Sequence, residues 1–175
     1  FDSSPGPFAV LGGSLLFPAY EGSTGIELYK SDGTANGTAL LADLEPGASG
    51  SQPSDLVVTN GLVFFRATES LVGEELWRSD GTAAGTFPLD VNPGPASSYP
   101  SSLTPVGNVL FFAAYSATTG ATALQHVPLD QIEHNRAPLA HPPSAAACQN
   151  VFQSIGAARS RQAMSQSSSG PQSSR

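Results

Sequence analysis

A segment of about 48 residues recurs within this 175-residue chain, and this repetition is the strongest constraint on its fold. Residues 27–38 (ELYKSDGTANGT) return as residues 75–86 (ELWRSDGTAAGT), at an offset of 48. Further along, residues 62–65 (LVFF) return as 109–112 (VLFF), now 47 apart because one residue is lost between the copies. A fixed period of this kind indicates structural units that bury their apolar faces against one another.

The repeat is incomplete at both ends. Residues 15–17 (LLF) align with residues 63–65 (VFF), so we expect the chain to begin inside a repeat. After Gly120 the signature decays, since residues 121–128 (ATALQHVP) keep at most one leucine of it. Residues 1–124 therefore contain about two and a half units.

Each unit predicts four short strands with turn signals between them. The predicted strands are residues 27–30, 38–44, 55–59 and 62–67, with counterparts at 75–78, 87–91, 102–105 and 109–114. Asn60-Gly61 lies between two apolar runs, and both residues tolerate positive φ, which predicts a tight hairpin. Residues 62–65 are apolar without alternation, so both faces of that strand should be covered.

The period selects among repeat architectures. About 48 residues is close to the ~40 to 50 of propeller blades and too long for leucine-rich or ankyrin units. We predict an all-β fold of antiparallel four-stranded blades in a β-propeller-like array. A closed propeller needs at least about four blades. This array should therefore stay open and contact further repeats of the same kind or self-associate.

Charge and composition change near residue 124. Twelve acidic and three basic residues precede this point, whereas two acidic and four basic residues follow it. The net charge of −7 argues against a nucleic-acid partner, and no apolar run is long enough for a membrane span. Residues 125–175 are rich in Ser, Pro and Gln, so we expect a low-complexity, disordered tail. A short helix near 144–158 and a tail that is not selected sequence are the alternatives.

These repeats resemble a known family. Residues 75–86 fit the pattern ELWxxDGTxxGT in full, residues 27–38 differ only at Tyr29, and both are followed by a D-x-x-P-G segment. Over roughly residues 5–120 the chain is similar to the bacterial ELWxxDGT-repeat (hyalin-like) proteins. The resemblance implies propeller-like blades in a secreted or cell-surface protein, typically much longer, of which this chain would be a truncated fragment. It implies no catalytic residues, and it alone carries the expected location, since no signal peptide is recognised.

The signature itself is interpreted as structural, because it is the same in both units. In the Asp-Gly-Thr turn, the Asp side chain is expected to bond turn amides. Tyr29 and Trp77 share one repeat position and are expected to pack between blades rather than stack on sugars. The signature residues are Glu27, Leu28, Tyr29, Asp32, Gly33, Thr34, Gly37, Thr38, Glu75, Leu76, Trp77, Asp80, Gly81, Thr82, Gly85 and Thr86.

Few residues suggest reactive chemistry or a cofactor. Calcium is the one cofactor with candidates, but each turn offers one carboxylate where calcium takes about six to eight oxygens. The spacing of His126, His134, His141 and Cys148 fits no compact zinc pattern. The repeats hold neither His nor Cys to activate a Ser or Thr, so nucleophilic catalysis has no support. The calcium candidates are Asp32, Asp80, Asp43 and Asp90.

The adjacent carboxylates of Glu74 and Glu75 resemble an acid/base pair. Neighbouring residues of a strand point to opposite faces, so these two carboxylates cannot share an acid/base site. Solvent exposure is the expectation for both. An acidic cluster present in one blade and not in the next would instead favour an enzyme.

The sequence thus favours a non-enzymatic extracellular or cell-surface repeat module that serves as a binding or adhesion scaffold. A protein or a glycan is the expected ligand. The alternatives are the propeller scaffold of a glycan-acting enzyme and a non-functional truncated remnant.

Overall fold

The computed structural model describes residues 5–129, which form three antiparallel sheets arranged one after another along the chain. Blade 1 contains β1 (Ala9–Leu11), β2 (Ser14–Glu21), β3 (Gly25–Ser31) and β4 (Ala39–Ala42). Blade 2 contains β5 (Ser54–Thr59), β6 (Leu62–Glu69), β7 (Gly73–Ser79) and β8 (Phe87–Pro88). Blade 3 contains β9 (Ser101–Val106), β10 (Val109–Ser116) and β11 (Ala121–Pro128).

The predicted fold class is confirmed: the described residues are all-β, in antiparallel blades that do not close into a barrel or ring. In each sheet the strands follow chain order, so each blade is a simple meander. Blade 1 has all four strands, and in blades 1 and 2 alike the signature begins in the third strand. Strand β11 continues to Pro128 without the signature, because its backbone pairs with the whole of β10.

The last strand of each four-stranded blade is shorter than predicted. Strand β8 covers Phe87–Pro88 instead of residues 87–91, and β4 covers Ala39–Ala42 instead of residues 38–44. Pro88 has no N–H to donate to the ladder. Leu89 still donates its amide to the carbonyl of Leu76 at 2.7 Å, whereas the amide of Val91 bonds the side chain of Glu75 and is lost to the sheet.

The predicted hairpin at Asn60-Gly61 is present, with φ of 48° and 73° at the two residues. A second backbone feature repeats and was not predicted. Asp55 and Ser102 hold φ of 56° and 57° at equivalent places in β5 and β9. In blade 2 the pairing register shifts beside Asp55, which marks a bulge in that strand.

The core consists of two similar clusters between consecutive blades. In the first, Leu16 and Leu28 of blade 1 pack with Val63, Phe65 and Trp77 of blade 2. Burying each of these large side chains stabilises the fold by roughly 1.5–3 kcal/mol.

The second cluster joins Phe64 and Leu76 of blade 2 to Leu110 and Phe112 of blade 3. Phe64 and Phe65 are adjacent in β6 and therefore point to opposite faces of the sheet. One face of each blade thus meets the opposite face of the next, which is a head-to-tail arrangement.

Of the predicted tail, residues 125–128 end β11 and Leu129 follows it, whereas the rest of the tail and the predicted helix near 144–158 lie outside the described residues. Within residues 5–129, no helix is long and apolar enough to cross a membrane.

Candidate functional site

The repeated glutamate of the signature binds backbone amides. The Glu27 side chain is fully buried, and its Oε1 accepts the amides of Ser51 at 2.8 Å and Glu45 at 3.1 Å. Its Oε2 accepts the Ser51 hydroxyl at 2.6 Å and the Leu44 amide at 3.0 Å. One carboxylate therefore fixes both the end of blade 1 and the segment that leads to blade 2.

Glu75 repeats this arrangement one unit later. Its carboxylate accepts the amides of Val91 at 2.8 Å and Ser98 at 2.9 Å, and the Ser98 hydroxyl at 2.7 Å. Burial raises the pKa of Glu75 to about 7, against the opposing effect of these hydrogen bonds. Burial likewise raises the pKa of Glu27.

The expected solvent exposure of Glu75 is therefore wrong: its side chain is 0% exposed. A buried carboxylate is tolerated here because loop amides and a hydroxyl supply the hydrogen bonds that water would otherwise make. Glu74 remains partly exposed and pairs with Arg66.

The segment between blades is bonded on both sides. In the first copy, Gln52 donates its amide to the carbonyl of Ile26 in blade 1, at 3.1 Å, and Thr68 of blade 2 donates to the carbonyl of Ser51, at 2.8 Å. The second copy has the same two bonds, from Tyr99 to Glu74 and from Tyr115 to Ser98. The buried glutamates thus orient each blade relative to the next.

The aspartates of the signature hold their own turns. Asp32 accepts the amide and the hydroxyl of Thr34 at 2.9 Å and 2.7 Å, and these bonds lower its pKa. Asp80 accepts the same two groups of Thr82 at 2.9 Å and 2.6 Å. A hydrogen bond from an amide to the Asp side chain two residues earlier defines an Asx turn, in which the side chain replaces a backbone acceptor.

The second glycine of the signature is required by this aspartate. A Cβ placed on Gly85 would lie 2.1 Å from the carboxylate of Asp80, and Gly37 meets Asp32 in the same way at 1.9 Å. These distances are far inside van der Waals contact. Any larger residue must displace the carboxylate from its turn.

The repeated aromatic position is occupied differently in the two blades. Trp77 is only 4% exposed, donates its indole N–H to the carbonyl of Ala67 at 3.1 Å and stacks on Phe65. Its ring therefore packs in the cluster between blades 1 and 2. Tyr29 is half-buried and donates its hydroxyl to Glu21 at 3.0 Å.

The D-x-x-P-G aspartates differ between copies. Asp43 is exposed, whereas Asp90 is 1% exposed and neither carboxylate oxygen has a hydrogen-bond partner within residues 5–129. Burial raises the pKa of Asp90. The part of the chain described contains no group of three or more His, Cys, Asp or Glu side chains able to hold a metal. Calcium binding stays a prediction.

Of the residues considered for zinc, the structure describes only His126. Its ring lies 6.1 Å from that of Phe111 in blade 3. His134, His141 and Cys148 lie outside the described residues.

A cleft of about 350 Å³ lies between blade 1 and blade 2, and its lining includes the charged side chains of Arg66 and Glu74. Arg66 bonds Ser54 at 2.8 Å and pairs with Asp55 at 3.3 Å and Glu74 at 3.5 Å. The opposite wall is apolar and includes Pro18. This group was not predicted from the sequence. The available signal was Arg66, which differs from the residues at the same repeat position in the other blades.

The charged cluster is confined to blade 2. Positions equivalent to Arg66 are Pro18 in blade 1 and Ala113 in blade 3. By strand pairing, the positions equivalent to Glu74 are Ile26 and Thr122. These residues are therefore not needed to build a blade.

A second cleft, of about 440 Å³, opens at the outer edge of the same two blades. Its lining includes Asp43, Glu69 and Phe87. Burial, and then the neighbouring charge of Glu45, raise the pKa of Glu69. This edge is acidic and has no basic lining residue.

Comparison with known proteins gives no relative: the chain matches no protein-family model, no curated protein and no solved structure.

Proposed function

We propose that residues 5–129 belong to an ELWxxDGT-type repeat module that acts, without catalysis, as an extracellular or cell-surface binding scaffold. The repeated polar residues support a structural role for the signature. Glu27 and Glu75 bind the segments between blades, and Asp32 and Asp80 bind their own turns. Recognition is therefore assigned to residues that differ from blade to blade.

The observation that carries the proposal is the charged cluster of Arg66, Glu74 and Asp55, in which Arg66 and Glu74 line the cleft between blades 1 and 2 and Asp55 pairs with Arg66. It combines a cation, two carboxylates and an apolar wall, which suits a ligand with hydroxyl groups and an apolar face. Carbohydrates have this chemistry, so we propose a glycan as the ligand class. Arg66 would donate hydrogen bonds to glycan hydroxyls and the carboxylates would accept them.

The same cluster supports a second candidate, a scaffold belonging to a glycan-acting enzyme. Asp55 and Glu74 are two carboxylates on one arginine, and the cluster is absent from the other blades. Paired carboxylates are the groups that glycoside hydrolysis uses. Cleavage of a bound oligosaccharide, followed by mass spectrometry, separates this candidate from simple binding.

A glycan array probed with the full chain, with and without calcium, tests the proposal. We expect binding to a restricted set of glycans that Arg66→Ala weakens at least about tenfold. Lys30→Ala is the matched control. Lys30 is also a cation, but it donates a hydrogen bond to the carbonyl of Gly81 and does not line the cleft. An array without signal in both conditions would exclude the glycan-binding proposal.

A further inference from the structure

Blade 1 presents an apolar sheet face that no other blade in the described array covers. We call the side chains of Phe8, Val10, Leu15, Phe17 and Tyr29 the leading face. Phe8, Val10 and Leu15 are exposed, and the other two are half-buried. The three rings form a row, with centroids 5.7 Å apart from Phe8 to Phe17 and 6.3 Å from Phe17 to Tyr29.

The repeat shows what covers such a face. The counterparts of Leu15, Phe17 and Tyr29 in blade 2 are Val63, Phe65 and Trp77. Blade 1 buries all three of these, and Leu15 is 37% exposed where Val63 is 0% exposed.

The turn beside this face shows the same difference. Gly81 of blade 2 is buried under Leu11 and Lys30 of blade 1, whereas the equivalent Gly33 is exposed. The leading face thus has the composition of a blade interface without the neighbouring blade.

A matching surface lies at the other end of the array. We call Phe111, Ala113 and Leu124 of blade 3 the trailing face. By strand pairing, Phe111 and Leu124 correspond to Phe64 and Leu76, which blade 2 buries against blade 3. Leu124 is 72% exposed and Leu76 is 0% exposed.

We propose that the leading face docks the trailing face of a second copy of this chain, so that blade 3 of one copy stacks on blade 1 of the next. The two interfaces within the chain have this head-to-tail geometry and the same kinds of side chain. Such an interface is heterologous and joins copies into an open chain or a ring. The inference does not depend on the glycan function, because the ligand cleft lies on the opposite side of blade 1.

Light scattering after size exclusion, on the full chain over a range of concentrations, tests the proposal. We expect wild-type protein to form species heavier than the 17.9 kDa chain. Leu15→Glu on the leading face and Leu124→Glu on the trailing face should each give a monomer, with an association constant lowered at least about tenfold. Circular dichroism checks that each variant is folded, and Phe17→Gln is a second leading-face variant.

Mixing the two variants is the decisive arm. The Leu15→Glu copy keeps an intact trailing face and the Leu124→Glu copy keeps an intact leading face, so the mixture should form a one-to-one pair and nothing larger. Leu71→Glu, at an exposed apolar side chain in the β6–β7 turn, is the control and should associate like wild type. A monomeric wild type, a mixture that stays monomeric, or equal disruption by Leu71→Glu would overturn the proposal.

Discussion

At the scale of single residues, the signature glutamate explains the order of the array. Glu75 is buried, yet it accepts two amides and a hydroxyl from the segments that follow its blade. Burial dominates these hydrogen bonds and moves its pKa to about 7. Asp90 lies close enough to raise the pKa of Glu75 further and is itself buried. Glu75 therefore organises the segment between blades and also has a raised pKa.

This arrangement predicts that stability falls as pH rises. The pKa of Glu75 is higher in the folded than in the unfolded state, so the folded state binds more protons at pH values between the two. The stabilisation that comes from this proton is therefore lost as pH rises through about 7. We expect the free energy of unfolding, from urea titrations, to fall on the order of 2 kcal/mol between pH 5 and pH 8. Glu75→Gln should reduce this slope.

Glu74→Gln is the matched control, because its side chain is 26% exposed and lies outside the buried hydrogen-bond group. It should leave the slope as in wild type. An unchanged slope in Glu75→Gln would show that other groups cause the pH dependence.

At the scale of elements, the Asp-Gly-Thr turn is one unit whose residues depend on each other. Asp80 holds Thr82, and the hydroxyl of Thr82 accepts the amide of Gly85 at 3.0 Å. The carboxylate fills the space that a side chain at Gly85 would need. Asp and the second Gly therefore recur together because each requires the other.

A double-mutant cycle measures that dependence. Gly85→Ala should destabilise the protein by about 1–3 kcal/mol, because the new methyl group displaces the carboxylate of Asp80. In the Asp80→Ala background the same change should cost less, with a coupling of at least about 0.5 kcal/mol in thermal or urea unfolding. Additive effects would contradict the steric account.

Strand-level features were predictable where local chemistry determines them. The apolar run 62–65 and the Asn60-Gly61 pair indicated β6 and its hairpin, and both are present. The length of β8 was only partly predictable: Pro88 is visible in the sequence, but the amide of Val91 bonds a side chain 16 residues earlier in the chain. The burial of Glu75 was missed for the same reason: its partners come from the next connecting segment.

At the scale of the whole molecule, the period indicated blades but not their relative packing. The two clusters between blades use opposite faces of β6, which sequence periodicity alone does not assign to one neighbour or the other. The charged cluster around Arg66 was likewise not predicted, because its members come from β5, β6 and β7 and meet only in the folded sheet.

The central claim is that buried glutamates of the signature fix the segments between blades, and native-state hydrogen exchange tests it most directly. The amides of Ser51 and Ser98 lie outside all strands but donate to Glu27 and Glu75. We predict that both exchange as slowly as core strand amides, and that Glu75→Gln speeds exchange at Ser98 while leaving Ser51 protected. Rapid, loop-like exchange of both amides in the wild-type protein would contradict the claim.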